Sequence, residues 1–405
     1  MHVTPRYKQT LAGIIPNDWE VTTLGEAVDF LDGLRRPVKD SDRARMRGDI
    51  PYYGASGVVD YVDNYIFDED LILLGEDGEN ILSRKCRLAF TISGKTWVNN
   101  HAHVLRPRPP FVLNYLADFL ESRDYAQYNT GTAQPKLNKF VCSRIPVVQP
   151  PLPEQHAIAA ALSDADGLLR CLDLLVAKKR DLKQASMQEL LSGKKRLPGF
   201  GEGWVSRRLG DHVTILRNGT NSRAELDSQG RVRYLHYGDI HGCHEVTLTT
   251  DSLPFLPAAK ASSLDRLQDG DLIFADASED IVGVSKSVEI RGSKGAEIVA
   301  GLHTIAVRFD KQILADGFKG YLQHFGPFSN HLRRLAAGTK VLATNRAHIA
   351  SAELLLPPLA EQTAIASVLS DMAAEIAALE RRRNKMKLLK QAMMQELLTG
   401  RTRLV

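Results

Sequence analysis

The chain has 405 residues, more than one ordinary domain core accommodates, so two or more domains are expected. Its apolar fraction of 43% and charged fraction of 25% suit a soluble globular chain, and no apolar run is long enough to span a membrane. A net charge of +4 does not demand a strong polyelectrolyte binder, although clustered charge leaves nucleic acid open. The start, Met1 to Lys8, lacks the apolar segment of a secretory signal. Cys86, Cys142, Cys171 and Cys243 are too widely spaced for a CxxC motif or a disulfide framework, so a reduced, cytoplasmic protein is expected.

The first region opens with Trp19 through Leu24-Gly25. Tyr52-Tyr53-Gly54-Ala55-Ser56-Gly57-Val58-Val59-Asp60-Tyr61-Val62 alternates as a strand does and carries glycines and aromatics. Leu71–Gly75 reads as a buried strand, and 88–92 and 103–106 as two more. Tyr115–Tyr128 is a helix candidate, with Leu116, Phe119 and Leu120 on one face. A polar loop follows: Gly131-Thr132-Ala133-Gln134-Pro135-Lys136-Leu137-Asn138.

Residues 150–197 predict a long helix. Pro150-Pro151 stop any incoming element, Glu154 suits the helix dipole in the first turn, and Gly193 closes the end. Apolar residues at three-four spacing (Ile158, Ala161, Ala165, Leu168, Leu172, Leu175, Leu182) form a coiled-coil-like seam over about five heptads.

The chain then repeats its plan. Residues 357–404 match 150–197 without a gap at an offset of 207, with 25 identities in 48 positions. The second seam is Ile365, Val368, Met372, Leu379, Met386, Leu389 and Met393, with Gly400 as terminator. Trp204 through Leu209-Gly210 echoes Trp19 through Gly25, at an offset of 185, so the second variable segment is 22 residues longer. Its predicted strands fall at 233–240, 270–275 and 303–308, followed by helix over 318–335. Its loop reads Gly338-Thr339-Lys340-Val341-Leu342-Ala343-Thr344-Asn345-Arg346. Two apolar seams in one chain can bury each other and make a stiff strut. The helices' distal ends are basic: 178–196 holds seven basic and two acidic residues, and 381–403 eight and one. They suit solvent, phosphates or an acidic partner.

Motifs for chemistry are sparse. Ser93-Gly94-Lys95-Thr96 ends like a phosphate loop, but Ala89 stands where its first glycine belongs. Arg108-Pro109-Pro110-Phe111 puts arginine where an amino-methyltransferase needs an amide or carboxylate. Of His101, His103 and His303, which sit near strands, only the first two are close and no third ligand is apparent, so packed or hydrogen-bonded imidazoles are expected at all three. The acidic runs Asp68-Glu69-Asp70 and Glu76-Asp77 read as turns. The two loops carry a different chemistry: amides pair with adenine, Arg and Lys with guanine, and hydroxyls with phosphate.

Trp19…Leu24-Gly25, Tyr52–Gly57, the Gly-Thr-x-Gln-x-x-Leu-Asn loop at 131–138 and Pro-Pro-Leu-x-Glu-Gln before a long helix, arranged twice, resemble the specificity subunits of type I restriction-modification systems. The resemblance implies an α+β fold with pseudo-twofold internal duplication: two mixed α/β target-recognition domains (1–149 and 198–356) separated by two conserved antiparallel spacer helices (150–197 and 357–405). It implies a non-catalytic chain that reads a bipartite site in double-stranded DNA. Two methylation subunits and motor-nuclease subunits would be its partners, and S-adenosylmethionine, ATP and Mg would sit on them rather than on this chain. Carried over, Tyr52, Tyr53, Ser56, Thr132, Gln134, Lys136 and Asn138 should face DNA in the first domain. Tyr234, Tyr237, Asp239, Thr339, Lys340, Thr344, Asn345 and Arg346 should do so in the second, where the loop lacks Gln-Pro. A coiled-coil scaffold that binds only protein is the main alternative; a nuclease or methyltransferase acting alone would need catalytic carboxylates or a cofactor loop.

Overall fold

A computed structural model describes residues 7–248, 250–293 and 295–404. Its contacts divide the chain into two units, one holding the chain up to Leu174 together with the segment from Glu380, the other Leu175–Leu379. Each long helix is thus shared between the units rather than standing apart from them.

In the first unit an antiparallel sheet runs in the order Val28–Phe30, Ala102–Pro107, Leu71–Gly75, Ala89–Ile92. Leu71–Gly75 lies inside it and is buried at every position, which is why it reads as a continuous apolar run rather than alternating. Helix Leu113–Ser122 packs on the Ala89–Ile92 edge and buries Leu116, Phe119 and Leu120. A second sheet holds the hairpin Arg47–Gly54 and Gly57–Val62, with Lys95–Val98 parallel to the hairpin's first strand.

The second unit repeats this plan with added strands. Val213–Ile215, Thr304–Phe309, Leu272–Ala275 and Ser287–Ile290 follow the same order, extended by Thr247–Leu248. Val232–Leu235 lies parallel to Glu297–Ala300, as Arg47–Gly54 does to Lys95–Val98. Two expectations change in this unit. The strand at 233–240 stops at Leu235, because His236 and Asp239 cap a helix, Tyr237–Gly242: the His236 N–H donates to Asp239 (2.9 Å) and the Gly238 N–H to His236 Nδ1 (3.3 Å). The helix at 318–335 is two pieces, a 3-10 turn over Lys319–His324 and an α-helix over Gly326–Leu335. Pro327 accounts for the break, since it fits only a helix's first turn.

The long helices are Leu152–Leu191 and Leu359–Leu397, of 40 and 39 residues, or about 60 Å at ~1.5 Å per residue. Gly193 and Gly400 follow them at φ of 68° and 70°, as glycine closers should. In the first unit Lys390 meets Asp166 (2.6 Å) and Arg383 meets Asp173 (3.4 Å), so one helix number falls as the other rises and the pair is antiparallel. In the second unit Lys179 meets Glu375 at 2.7 Å.

The seam itself is shifted by one position from the predicted one at several sites. Ile158, Leu162, Ala165, Leu172 and Val176 are buried, with Leu169 half-buried between them, at strict four-three spacing. The matching set at the offset of 207 is Ile365, Leu369, Met372, Ile376, Leu379 and Arg383, all buried or half-buried. Met386 continues that set as a half-buried residue. Leu168, Leu175, Leu182, Val368 and Leu389, expected in the seam, are each more than a third exposed. They lie one residue before seam positions, about 100° around the helix, so they rim the seam instead of filling it.

How each domain grips the helices was not legible in the sequence. Glu154 has no exposed surface. It accepts the Trp19 indole N–H (2.9 Å) and a fork from Arg403 (2.6 and 2.7 Å), whose guanidinium also holds Asp18 and lies 5.5 Å over the Trp19 ring. In the second unit Glu361 accepts the Trp204 indole (3.2 Å) and a fork from Arg196, itself 5.7 Å over the Trp204 ring. Beside them Gln155 accepts the Val112 N–H and Gln362 the Ala315 N–H, both at 2.9 Å. The Glu-Gln pair of each repeat is therefore a buried dock for the domain, more than a dipole partner for the helix.

Candidate nucleic-acid interface

The two polar loops are built alike. A Cβ on Gly131 would overlap the Gln134 carbonyl oxygen, and one on Gly338 the Val341 carbonyl oxygen, so only glycine lets each loop close on itself. Leu137 N–H donates to Glu76 O (2.7 Å), and at the equivalent place Thr344 N–H donates to Asp276 O (2.8 Å). Short bridges join Asp77 to Lys136, and Ala277–Ser278 to Leu342–Ala343. Each loop is thereby pinned to the end of its sheet's central strand, with its tip in solvent.

Within the first loop Thr132, Gln134 and Lys136 are exposed. Lys136 reaches Glu76 at 3.3 Å, and Glu76 also holds Arg35 at 2.6 Å. Asn138 is committed elsewhere: its side chain caps helix Lys139–Cys142 by accepting the Val141 N–H (2.9 Å) and donates to Thr130. In the second loop Thr339 and Lys340 are exposed, and exposed Arg346 donates to Asn218 at 2.9 Å. Thr344 is buried, and Asn345 caps helix Arg346–Ala350 through the His348 N–H. Thr344, Asn138 and Asn345 therefore shape the loops, and their polar groups are spent on the protein.

Tyr52 and Tyr234 do not reach the surface. They occupy equivalent strands, are 2% and 0% exposed, and turn their hydroxyls to backbone: Val38 N–H for Tyr52, Leu302 N–H and Asn221 O for Tyr234. Strand alternation puts their neighbours outward instead. Tyr53 is half-buried against Phe90, Ser56 is exposed at the hairpin tip, and Val58, Val59 and Tyr61 are exposed beyond it. Tyr237 is half-buried, its ring within 4.5–6.1 Å of His236, His241 and His303. Asp239 is occupied by the His236 cap and by Arg223 at 2.7 Å.

The three histidines separate by burial. His103 is 1% exposed, with Nδ1 on Asp32 (2.7 Å) and Nε2 on the Leu137 carbonyl (2.8 Å), so it ties the loop to the core. Burial alone would lower its pKa, but its hydrogen bond to the Asp32 carboxylate and the neighbouring Cys142 outweigh that and raise it to about 10. His101 and His303 are half-exposed, each paired to a carboxylate: Asp77 at 2.9 Å and Asp276 at 3.1 Å. Among the described residues no grouping of three His, Cys, Asp or Glu could hold a metal ion, and no helix is long and apolar enough to cross a membrane.

These features define a class: a duplicated α+β recognition fold in which paired loops are pinned to sheets docked on two shared helices. Residues 16–179 match the type I restriction modification DNA specificity domain. A Haemophilus influenzae protein named as a type I restriction enzyme specificity subunit is 33% identical over 139 residues, 34% of this chain and 35% of the relative, so the match spans about a third of that protein's length. The MjaVIII type I restriction enzyme specificity subunit of Methanocaldococcus jannaschii is 25% identical over 423 residues, covering 96% of this chain and 94% of that one. The solved type I S subunit of M. genitalium shares the fold, with a TM-score of 0.61 at 13% identity over 98% of this chain and 99% of that one. A chain from a type I restriction-modification assembly gives a TM-score of 0.56 at 17% identity, over 95% and 99%. Residues 16–179 therefore carry a type I restriction modification DNA specificity domain, and over its full length the chain is similar to specificity subunits of such systems.

Proposed function

We propose that this chain reads a bipartite site in double-stranded DNA, one half per unit, and performs no chemistry itself. The observation that carries the reading is the pair of pinned loops. Their backbone scaffolds are the same, while the side chains they expose differ: Thr132, Gln134 and Lys136 in one, Thr339, Lys340 and Arg346 in the other. One scaffold with two sets of polar tips suits two half-sites of different sequence.

On this reading methylation subunits bring S-adenosylmethionine, and motor-nuclease subunits bring ATP and Mg. The long helices, continuous from one unit into the other, set how many base pairs lie between the half-sites, since B-DNA turns once per ~34–36 Å. Such a complex works in the cytoplasm, where the DNA is. Replacing residues 20–145 by the matching segment of another specificity subunit, followed by methylome sequencing, tests it. One half of the methylated motif should change. Both halves changing together would refute independent readers.

A further inference from the structure

In each unit a single residue joins the loop to a histidine. Glu76 N–H donates to the His101 carbonyl (2.8 Å) while its own carbonyl takes the loop's Leu137 N–H. Asp276 does the same between His303 (3.1 Å) and Thr344. Each imidazole then meets a carboxylate through Nδ1, His101 with both oxygens of Asp77 (2.9 and 3.0 Å), and His303 with Asp276 (3.1 Å). The two carboxylates are not equivalent in the chain. Asp276 matches Glu76, and Asp77 is the residue after it. Two diverged domains hold the same pairing beside the same loop from different positions.

Stability does not account for these pairs. Both imidazoles are half-exposed, where an ion pair contributes little. Each stands just before a strand, Ala102–Pro107 or Thr304–Phe309, whose Leu105 or Ile305 is packed in a core that the histidine does not join. His303 has a φ of +56°, a conformation that costs a side chain energy and persists where something else fixes it. Beside His303 lies a cavity of about 720 Å³, also lined by Tyr237, His241, Glu279 and the loop residue Val341.

The chemistry is specific. A carboxylate at Nδ1 holds a proton on that nitrogen, so the uncharged ring presents Nε2 as an acceptor in a set direction. Nε2 of either ring has no hydrogen-bond partner among the described residues. In the major groove the complementary donors are the exocyclic amino groups of adenine and cytosine. We infer that His101, oriented by Asp77, and His303, oriented by Asp276, each read one adenine or cytosine in the half-site of their own unit. The inference rests on the two-reader function proposed above.

The test places full-length variants in the native system and reads the methylome and thermal unfolding. His101→Ala should relax one A or C position of one half by roughly 5- to 100-fold, leave the other half intact, and leave unfolding unmoved. His303→Gly should do the reverse, glycine being suited to that φ. Asp77→Ala should relax the same position as His101→Ala, because it only orients the ring. Unchanged motifs, relaxation at a G or T, or a sequence-independent loss with a smaller salt slope, which marks a phosphate contact, would each overturn the assignment. If the 20–145 exchange alters one half while the histidine variants alter none, the histidine inference fails alone. If the exchange alters both, the two-reader function fails.

Discussion

Arg403 lies near the end of the sequence, yet it closes the first unit. Arg403→Ala would leave Glu154, which has no exposed surface, with the Trp19 indole as its remaining side-chain partner. Removing one member of a buried ion pair costs about 3–5 kcal/mol, because the other charge stays desolvated. For a unit of this size about 1 kcal/mol moves the midpoint by ~2–4 °C, so the first unit should melt roughly 6–20 °C lower. Hydrogen exchange should localise the loss to peptides around Trp19, Leu24 and Tyr115, which share one core with Ile158 and Leu397. Adding Glu154→Gln removes the stranded charge, so the double variant should recover much of the stability. A double-mutant cycle with coupling below about 1 kcal/mol would refute the buried-pair reasoning. So would equal loss of protection around Trp204, whose own arginine is Arg196.

Two further outcomes follow from burial. Leu162→Ala or Leu172→Ala should cost about 2–5 kcal/mol, whereas Leu168→Ala or Leu182→Ala, on the exposed rim, should cost about 0.5 kcal/mol or less; denaturant titration giving equal losses would restore the other seam. The His103 contribution has a pH window. Its pKa is raised from 6.5 to about 10, so its stabilisation is complete below pH 6.5 and is lost as pH rises towards 10, by about 1.4 kcal/mol per unit. Asp32, held below its ordinary value although burial opposes this, contributes above pH 3.8 and loses its contribution as pH falls below that. Unfolding of the first unit followed from pH 6 to 10 should decline in the wild type and stay flatter in His103→Gln. Parallel curves would show that His103 is neutral in the fold.

The sequence carried the duplication, the shared order of elements and the helix ends, because each of these is a local or periodic signal. Leu71–Gly75 announces itself by five consecutive apolar or small residues, and Gly193 and Gly400 by an offset of 207. Tyr52 and Tyr234 were misjudged for a physical reason. A tyrosine in an alternating strand suits either face, and the backbone groups that meet its hydroxyl come from residues 13 to 68 positions away. Asn138 and Asn345 were read as base-pairing amides although both stand one residue before a short helix, where capping claims the side chain first.

From residues alone came the kind of protein and its twofold plan, since repeats, patterning and motif order survive in one dimension. Tertiary structure decided which polar groups remain available to a ligand. A buried Glu154 or Glu361, a capped Asn or a core Tyr is defined by partners far along the chain. The same holds for His101 and His303: their spacing in sequence says nothing of the carboxylates and pinned loops that folding brings beside them.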